Sequence, residues 1–286
     1  MDYAFKIERL EKKYSDFKLG PLDLDLEPGM VMGYIGPNGS GKTTTLLCMM
    51  QLIKANSGSI KIFGTENAPN NTSWKFDIGY VSDSPVFYEN WNGEKNLKFL
   101  SQFYPNWSDD YAMALAKRFN IDLTKKAKDL SRGNRVKLSL ISALSHKPKL
   151  LLLDEPTSGL DPVVRAEVLD TLFEVVETGE RSIFYSTHIL SDISRLADDL
   201  AFLKDGKLLF KTAKDDLIEK WRKISFKYNG ELRVKNLVSK KNEGNDYQII
   251  TSDFSDTIEK LTELEVENLN EHRMSIDEIA VEVLKG

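Results

Sequence analysis

Cysteine is almost missing from this chain. Its 286 residues hold one, Cys48, so no disulfide can form within the chain and a reducing compartment fits. Cys48 falls on an apolar helix face, where a small thiol packs as a core residue. Long apolar runs are missing too. The longest span around five residues, against the ~20 that cross a bilayer, so any membrane part has to come from elsewhere. The opening MDYAFKIERLEKKY lacks an apolar h-region, and no secretory signal is expected. Positive charge is not in excess: 39 Lys and Arg face 44 Asp and Glu, a net charge of -5. A broad basic surface for nucleic acid would usually push the balance the other way. Histidine is scarce, with three in the chain. Two of them, His146 and His272, have no motif around them and are expected at the surface. No internal repeat, low-complexity tract or sustained heptad run is present.

What is present reads as alternating strands and helices. FKIERL alternates, and MVMGYIG is a short buried strand that enters a glycine turn. A helix follows from Thr43, with Leu46, Leu47, Met50 and Ile53 on one face. SGSIKIFG is a further strand. Residues 85–146 lack strand signals and read as helices in NGEKNLKFLSQFY, SDDYAMALAKRFN and SRGNRVKLSLISALSH. KLLLLDE and RSIFYSTH are strands flanking the helix PVVRAEVLDTLFEVVETG, and LAFLKDGKLLF is a hairpin turning on Asp205-Gly206. After about residue 212 the character changes. WRKISFKY, ELRVKNLV and YQIITS read as strands, and SDTIEKLTEL and SIDEIAVEVLK as helices, the last opened by a Ser275/Glu278 capping box. The expected division is residues 1–212 and a small α+β domain, residues 213–286.

Two segments carry chemistry. GPNGSGKT, residues 36–43, fits G-x-x-x-x-G-K-[ST] between a buried strand and a helix. Gly36, Gly39 and Gly41 let successive backbone N–H groups turn inward, forming an anion cradle with the helix N-terminus. Lys42 can reach the β- and γ-phosphates, and the Thr43 hydroxyl suits Mg²⁺. The whole run Gly36, Pro37, Asn38, Gly39, Ser40, Gly41, Lys42 and Thr43, with Thr44 after it, is expected to hold a nucleotide. LLLLDE is a strand buried on both faces that ends in two carboxylates. Asp154 would hold Mg²⁺ through water. Glu155, expected on the other side of the strand, could take a proton from an attacking water.

With these in order, together with DLSRGN, SGLD and STH, the sequence resembles the ATP-binding cassette (ABC) ATPases over roughly residues 3–212. The resemblance implies an α/β P-loop NTPase fold of ABC type, with a helical subdomain at about 85–146 followed by the small C-terminal α+β domain. It implies ATP and Mg²⁺ as ligands, and ATP hydrolysis that powers a separate transmembrane permease. It also implies a homodimer or a heterodimer with a second cassette, located at the inner face of the cell membrane, with no nucleic acid bound. Tyr14 corresponds to the aromatic that stacks on adenine, though a tyrosine at a strand end also serves as ordinary packing. His188 corresponds to the histidine that contacts the γ-phosphate and the catalytic carboxylate. Asp161 corresponds to the loop crossing between the two sites of a dimer.

Two segments depart from the family pattern. The family segment Leu-Ser-Gly-Gly-Gln closes over ATP on the opposite subunit; here Leu130, Ser131 and Gly133 match, while Arg132 and Asn134 differ. Ser131 can still cap a helix and Gly133 still permits close approach. Where the family carries a glutamine after the strand IGYV, this chain has Asp83, which can hold Mg²⁺ or a water but cannot donate a hydrogen bond. Asp83 as a plain turn residue before Pro85 is the alternative. An acidic residue here, and the ending MSIDEIAVEVLK, resemble the drug, antibiotic or lantibiotic export branch. Two other readings stay open: a soluble ABC ATPase acting on ribosomes or nucleic acid, and a weakly active regulatory cassette.

Overall fold

Where apolar residues alternate, this chain makes half-covered sheet; where they run together, it makes sheet buried on both faces. The computed structural model describes residues 3–68 and 70–285. They divide into two compact units, Met1–Lys211 and Thr212–Gly286. Among the described residues no helix is long and apolar enough to cross a membrane.

The first unit opens with β1 (Phe5–Lys13) and β2 (Lys18–Leu26), antiparallel partners with buried and open positions alternating. β3 (Val31–Ile35) is buried at every residue and runs through the glycine loop into α1 (Lys42–Met49). β4 (Ser57–Ile62) and β5 (Thr65–Glu66) complete an antiparallel sheet in the order β2-β1-β4-β5. β6 (Ile78–Val81) then enters the second sheet. Three helices follow, α2 (Gly93–Ser101), α3 (Asp109–Arg118) and α4 (Arg132–Leu144). Each begins at a side chain that accepts a backbone N–H: Asn92 from Lys95, Ser108 from Tyr111, Ser131 from Asn134. β7 (Leu150–Asp154), α5 (Pro162–Val176), β8 (Ser182–Thr187), α6 (Leu190–Leu196), β9 (Asp199–Lys204) and β10 (Lys207–Ala213) close the unit.

The second sheet has the order β10-β9-β3-β8-β7-β6. From β9 to β6 its pairs are parallel, so these strands end at one edge. Its interior explains the uninterrupted leucines: Leu150, Leu151, Leu152 and Leu153 are all 0% exposed. Phe184 of β8 packs on Phe5 and Tyr34 at ring separations of 4.9 Å, joining the two sheets into one core.

The second unit contains α7 (Lys214–Lys220), β11 (Arg222–Lys227), β12 (Leu237–Glu243), β13 (Asp246–Thr251), α8 (Phe254–Glu263), β14 (Glu267–Arg273) and α9 (Ile276–Lys285). Its antiparallel sheet has the order β12-β13-β11-β14, and Ile224, Phe226, Tyr247, Ile249 and Leu261 make a separate core. The capping box at α9 is formed in both directions: Ser275 N–H donates to Glu278 Oε2 and Glu278 N–H to Ser275 Oγ.

Several expectations need correction. ELRVKNLV is irregular up to Asn236, and the strand begins at Leu237 and extends through the polar run SKKNE. β14 and α7 were not foreseen. α1 ends at Met49, and its buried face is Thr45, Leu46, Cys48 and Met49 rather than a stripe reaching Ile53, because the helix packs deeply in the core. His146 is not a surface residue. It is 2% exposed, stacks on Tyr104 with ring centroids 4.0 Å apart, and lies 2.9 Å from the Ile78 carbonyl through Nε2. His272 is exposed as expected.

Candidate functional site

Four adjacent parallel strands deliver the site, each at its carboxyl end: β3 the glycine loop, β8 His188, β7 Asp154 and Glu155, and β6 Asp83. The loop needs its glycines. Gly39 and Gly41 have φ of +80° and +111°, and a Cβ on Gly41 would lie 2.8 Å from Leu19 and 3.0 Å from Phe17. Neighbours stitch the loop down: Gly206 N–H donates to Ser40 O at 2.9 Å, and Gly20 N–H to Gly206 O at 2.7 Å.

Lys42 opens α1 and is 5% exposed. Its Nζ donates to Gly36 O at 2.7 Å and Pro37 O at 3.2 Å, and lies 3.0 Å from Glu155 Oε1. Thr43 Oγ1 donates to Asp154 Oδ1 at 3.2 Å, and Ser186 Oγ donates to the same oxygen at 2.7 Å. Burial pushes the Asp154 carboxyl up from its usual value; those two hydroxyls oppose the shift, and the Glu155 and Asp83 carboxylates add to it.

Glu155 has φ of +49°, the left-handed region that a glutamate rarely adopts. This turn breaks the strand alternation. Glu155 does not point to the side opposite Asp154; consecutive carboxylates reach consecutive residues of α1, Asp154 to Thr43 and Glu155 to Lys42. The other Glu155 oxygen, Oε2, is 2.7 Å from His188 Nδ1. Beneath lies a buried polar network. Asp192 accepts from Thr157 Oγ1, from Tyr185 OH at 3.1 Å and from Arg165 Nε at 2.6 Å. It joins the TSGLD loop to the helix that follows His188, so the walls behind Glu155 and His188 are held together.

A cavity of about 640 Å³ opens above these groups. Of the residues expected at the site, Asn38, Gly39, Gly41, Lys42, Thr43 and Thr44 line it, as do Asp83, Glu155 and His188. Gly36, Pro37 and Ser40 belong to the loop and Asp154 ends β7, but none of the four lines the cavity. Tyr14 is outside the lining; it sits 6.4 Å from Phe17, and Phe17 is the aromatic that faces the glycine loop. Ser131, Gly133 and Asp161 are away from this cavity. Ser131 Oγ caps α4, and a Cβ on Gly133 would approach Val164 to 3.2 Å, so that glycine also serves packing within its own chain. Asp161 caps α5 by accepting from Val163 and Val164 N–H, each at 3.1 Å.

The sequence reading missed Phe17, Ser158 and the side chain of Arg132 at the cavity. Phe17, three residues past Tyr14 in the same turn, was the one with a usable signal, since Tyr14 N–H donates to Phe17 O and closes that turn.

The residues suit a magnesium-bound polyphosphate. Among the described residues no group of three or more His, Cys, Asp or Glu is placed so that it could hold a metal ion. Mg²⁺ does not require one, because it keeps several waters and takes one or two carboxylates with phosphate oxygens. Thr43 and Asp154 meet that demand. Burial and two neighbouring carboxylates make the charge on Asp154 costly, which marks where a cation's charge is wanted.

Comparison with known proteins agrees with the geometry. Residues 19–158 match the family described as ABC transporter. The ABC transporter ATP-binding protein YtrB of Bacillus subtilis (strain 168) is 35% identical over 216 residues, 76% of this chain and 74% of that protein. The bacitracin transport ATP-binding protein BcrA of Bacillus licheniformis is 31% identical over 255 residues, 87% of this chain and 83% of that one. Among solved structures, cbiO1 from Clostridium perfringens, described as part of the ABC transporter complex cbiONQ, superposes with a TM-score of 0.62 at 25% identity, covering 74% of this chain and 89% of cbiO1.

Proposed function

The chain belongs to the ATP-binding proteins of ABC transporters, an ATPase family, and from that premise we propose that it powers an exporter whose membrane permease is a separate chain. The observation that carries the catalytic part is the contact set Lys42–Glu155–His188 beside Thr43–Asp154. In this reading the glycine-loop amides and Lys42 hold the β- and γ-phosphates of ATP, and Phe17 with Tyr14 flanks the base. Thr43 and, through water, Asp154 would hold Mg²⁺, which when bound neutralises charge on the phosphate oxygens. Glu155 accepts the proton of a water whose oxygen bonds to the γ-phosphorus as the bond to the β-phosphate oxygen breaks, leaving ADP and phosphate. His188, hydrogen-bonded to Glu155 Oε2, fixes that carboxylate and offers a ring nitrogen as a hydrogen-bond partner to the transferred phosphoryl.

The mark of a partner is an exposed apolar surface close to the site. Val86 is 91% exposed, three residues beyond Asp83, and borders a continuous cluster of Tyr88, Trp91, Phe99 and Phe103. Exposed patches of this kind mark interaction sites, and a permease pressing here would touch the segment that carries Asp83. The exporter reading rests on the likeness to BcrA, whose name states bacitracin transport. Ser131 and Gly133, at the N-terminus of α4, would close on ATP held by a second cassette, with Asp161 crossing between the sites; the chain would work at the cytoplasmic face of the membrane.

The mass of the Glu155→Gln chain, with and without Mg-ATP, tests this. Conversion of monomer to dimer by ATP, prevented by Ser131→Arg, supports a sandwich of like chains. A chain that binds ATP and stays monomeric refutes the like-chain sandwich and directs the search to a related cassette co-purifying with a polytopic membrane protein.

A further inference from the structure

Two of the positions at which this chain departs from the family pattern, Asp83 and Arg132, meet each other. Arg132 Nη2 donates to Asp83 Oδ1 at 2.9 Å, across 49 residues of sequence. The side chains are 51% and 45% exposed, and an ion pair so open to water adds little to stability. Its location is the informative part. Both residues line the cavity with Lys42, Thr43, Glu155 and His188. The guanidinium also lies over the Gly159 backbone: a Cβ there would stand 3.3 Å from Arg132 Cζ and 3.4 Å from Nε. Gly159, in the TSGLD loop, therefore leaves the space that the guanidinium occupies.

A carboxylate only accepts hydrogen bonds, so Asp83 alone has nothing to give a phosphate oxygen. A guanidinium carries five N–H donors in a rigid fork that matches phosphate geometry. Asp83 engages Nη2, and donors remain on the other nitrogens. We propose that Arg132 is a binding residue for the terminal phosphate of the nucleotide held by its own chain, and that Asp83 is the positioning residue that holds the guanidinium over the cavity. The proposal rests on the reading of this cavity as the nucleotide site. It gives one short segment two tasks: the backbone at Ser131 and Gly133 faces a partner's nucleotide, and the side chain between them serves the chain's own.

The test is equilibrium binding of the Mg²⁺ complexes of ADP and of the β,γ-imido analogue of ATP. It uses the full chain at concentrations where it is monomeric, as wild type, Arg132→Gln, Arg132→Lys, Asp83→Asn and the Asp83→Asn/Arg132→Gln double variant. Arg132→Gln is expected to weaken the triphosphate analogue by about tenfold or more, the size of a lost charge-assisted hydrogen bond, and to leave ADP within about twofold. Arg132→Lys, which keeps the charge and loses the fork, falls between. Asp83→Asn weakens the analogue less than Arg132→Gln does and adds nothing in the double variant, because it acts only through Arg132. The proposal is overturned if analogue and ADP weaken together, which is the signature of a displaced helix, or if neither changes. It also fails if Asp83→Asn has the same effect in both backgrounds. Absence of ADP binding to the wild-type chain would overturn the nucleotide-site reading itself, and the proposal with it.

Discussion

Asp154 shows how a single residue can be badly placed for stability and well placed for its task. Its carboxyl is 1% exposed and its proton affinity is raised by burial first and by the Glu155 and Asp83 carboxylates after that. A folded-state pKa above the unfolded one favours folding below the unfolded value, and that advantage is lost as pH rises through the folded value. At neutral pH the ionised group therefore weighs against the fold. Asp154→Asn keeps an acceptor for Ser186 and Thr43 and sheds the charge. We expect it to raise the melting temperature of the nucleotide-free chain at pH 7 by roughly 2–4 °C, as a gain of about 1 kcal/mol would. The gain shrinks as pH falls toward the carboxylate range, and the extra stabilisation by Mg²⁺ over ATP alone disappears; differential scanning across pH checks all three. Glu155→Gln should behave differently: ATP binding persists while phosphate release slows by roughly 10²–10⁴-fold, the contribution of a positioned general base. Both carboxylates were legible in the sequence because they are contiguous with a buried strand. Their orientations were not, because strand alternation says nothing of a left-handed φ at Glu155.

Among the elements, α4 carries the most. Its N-terminus is capped by Ser131, and just past its C-terminus His146 is clamped between the Tyr104 ring and the carbonyls of Ile78 and Ser142. Burial lowers the His146 pKa below the ordinary histidine value. A depressed pKa means stability that is present above the unfolded value, about 6.5, and is lost as pH falls through the folded one. His146→Phe preserves the stack, orphans the Ile78 carbonyl and cannot titrate. Its melting temperature should be lower than wild type at pH 7.5 by the equivalent of about 1–3 kcal/mol, and should fall less on moving to pH 5.5. A wild-type and a variant curve that run parallel between those pH values would refute the buried neutral histidine. His146 was illegible in the sequence because nothing local predicts a stack made across 42 residues. The same reason hid β12 and β14. Their residues SKKNE and NEHR are largely exposed, so no apolar alternation announces them, and they are strands because β13 and β11 offer free edges. The glycine loop and the capped helices were legible because their signals are local.

For the whole molecule, the two units have separate cores, one around Phe184, Leu150 and Leu152, the other around Ile224 and Ile249. Every residue lining the candidate site's cavity belongs to the first. A chain of residues 1–213, which keeps β10 whole, should fold and bind Mg-ATP within about threefold of the full protein, as an independent domain does; titration calorimetry on both checks it. The motifs of this first unit are each local in sequence, whereas the distant pairing of Asp83 with Arg132 could not be read from either segment alone. One feature of the site bears on what the protein meets in a cell. Lys42 Nζ donates to two loop carbonyls and stands beside Glu155 Oε1, and the other Glu155 oxygen lies against His188 Nδ1. The ammonium and the glutamate therefore partly offset each other's charge beside the amide cradle of the loop. Sulfate or free phosphate, arriving alone, would draw the ammonium away and leave a glutamate facing a new negative charge. A triphosphate chain that brings its own cation offsets that repulsion, so the Lys42–Glu155 contact favours a metal-bound phosphate over a bare one.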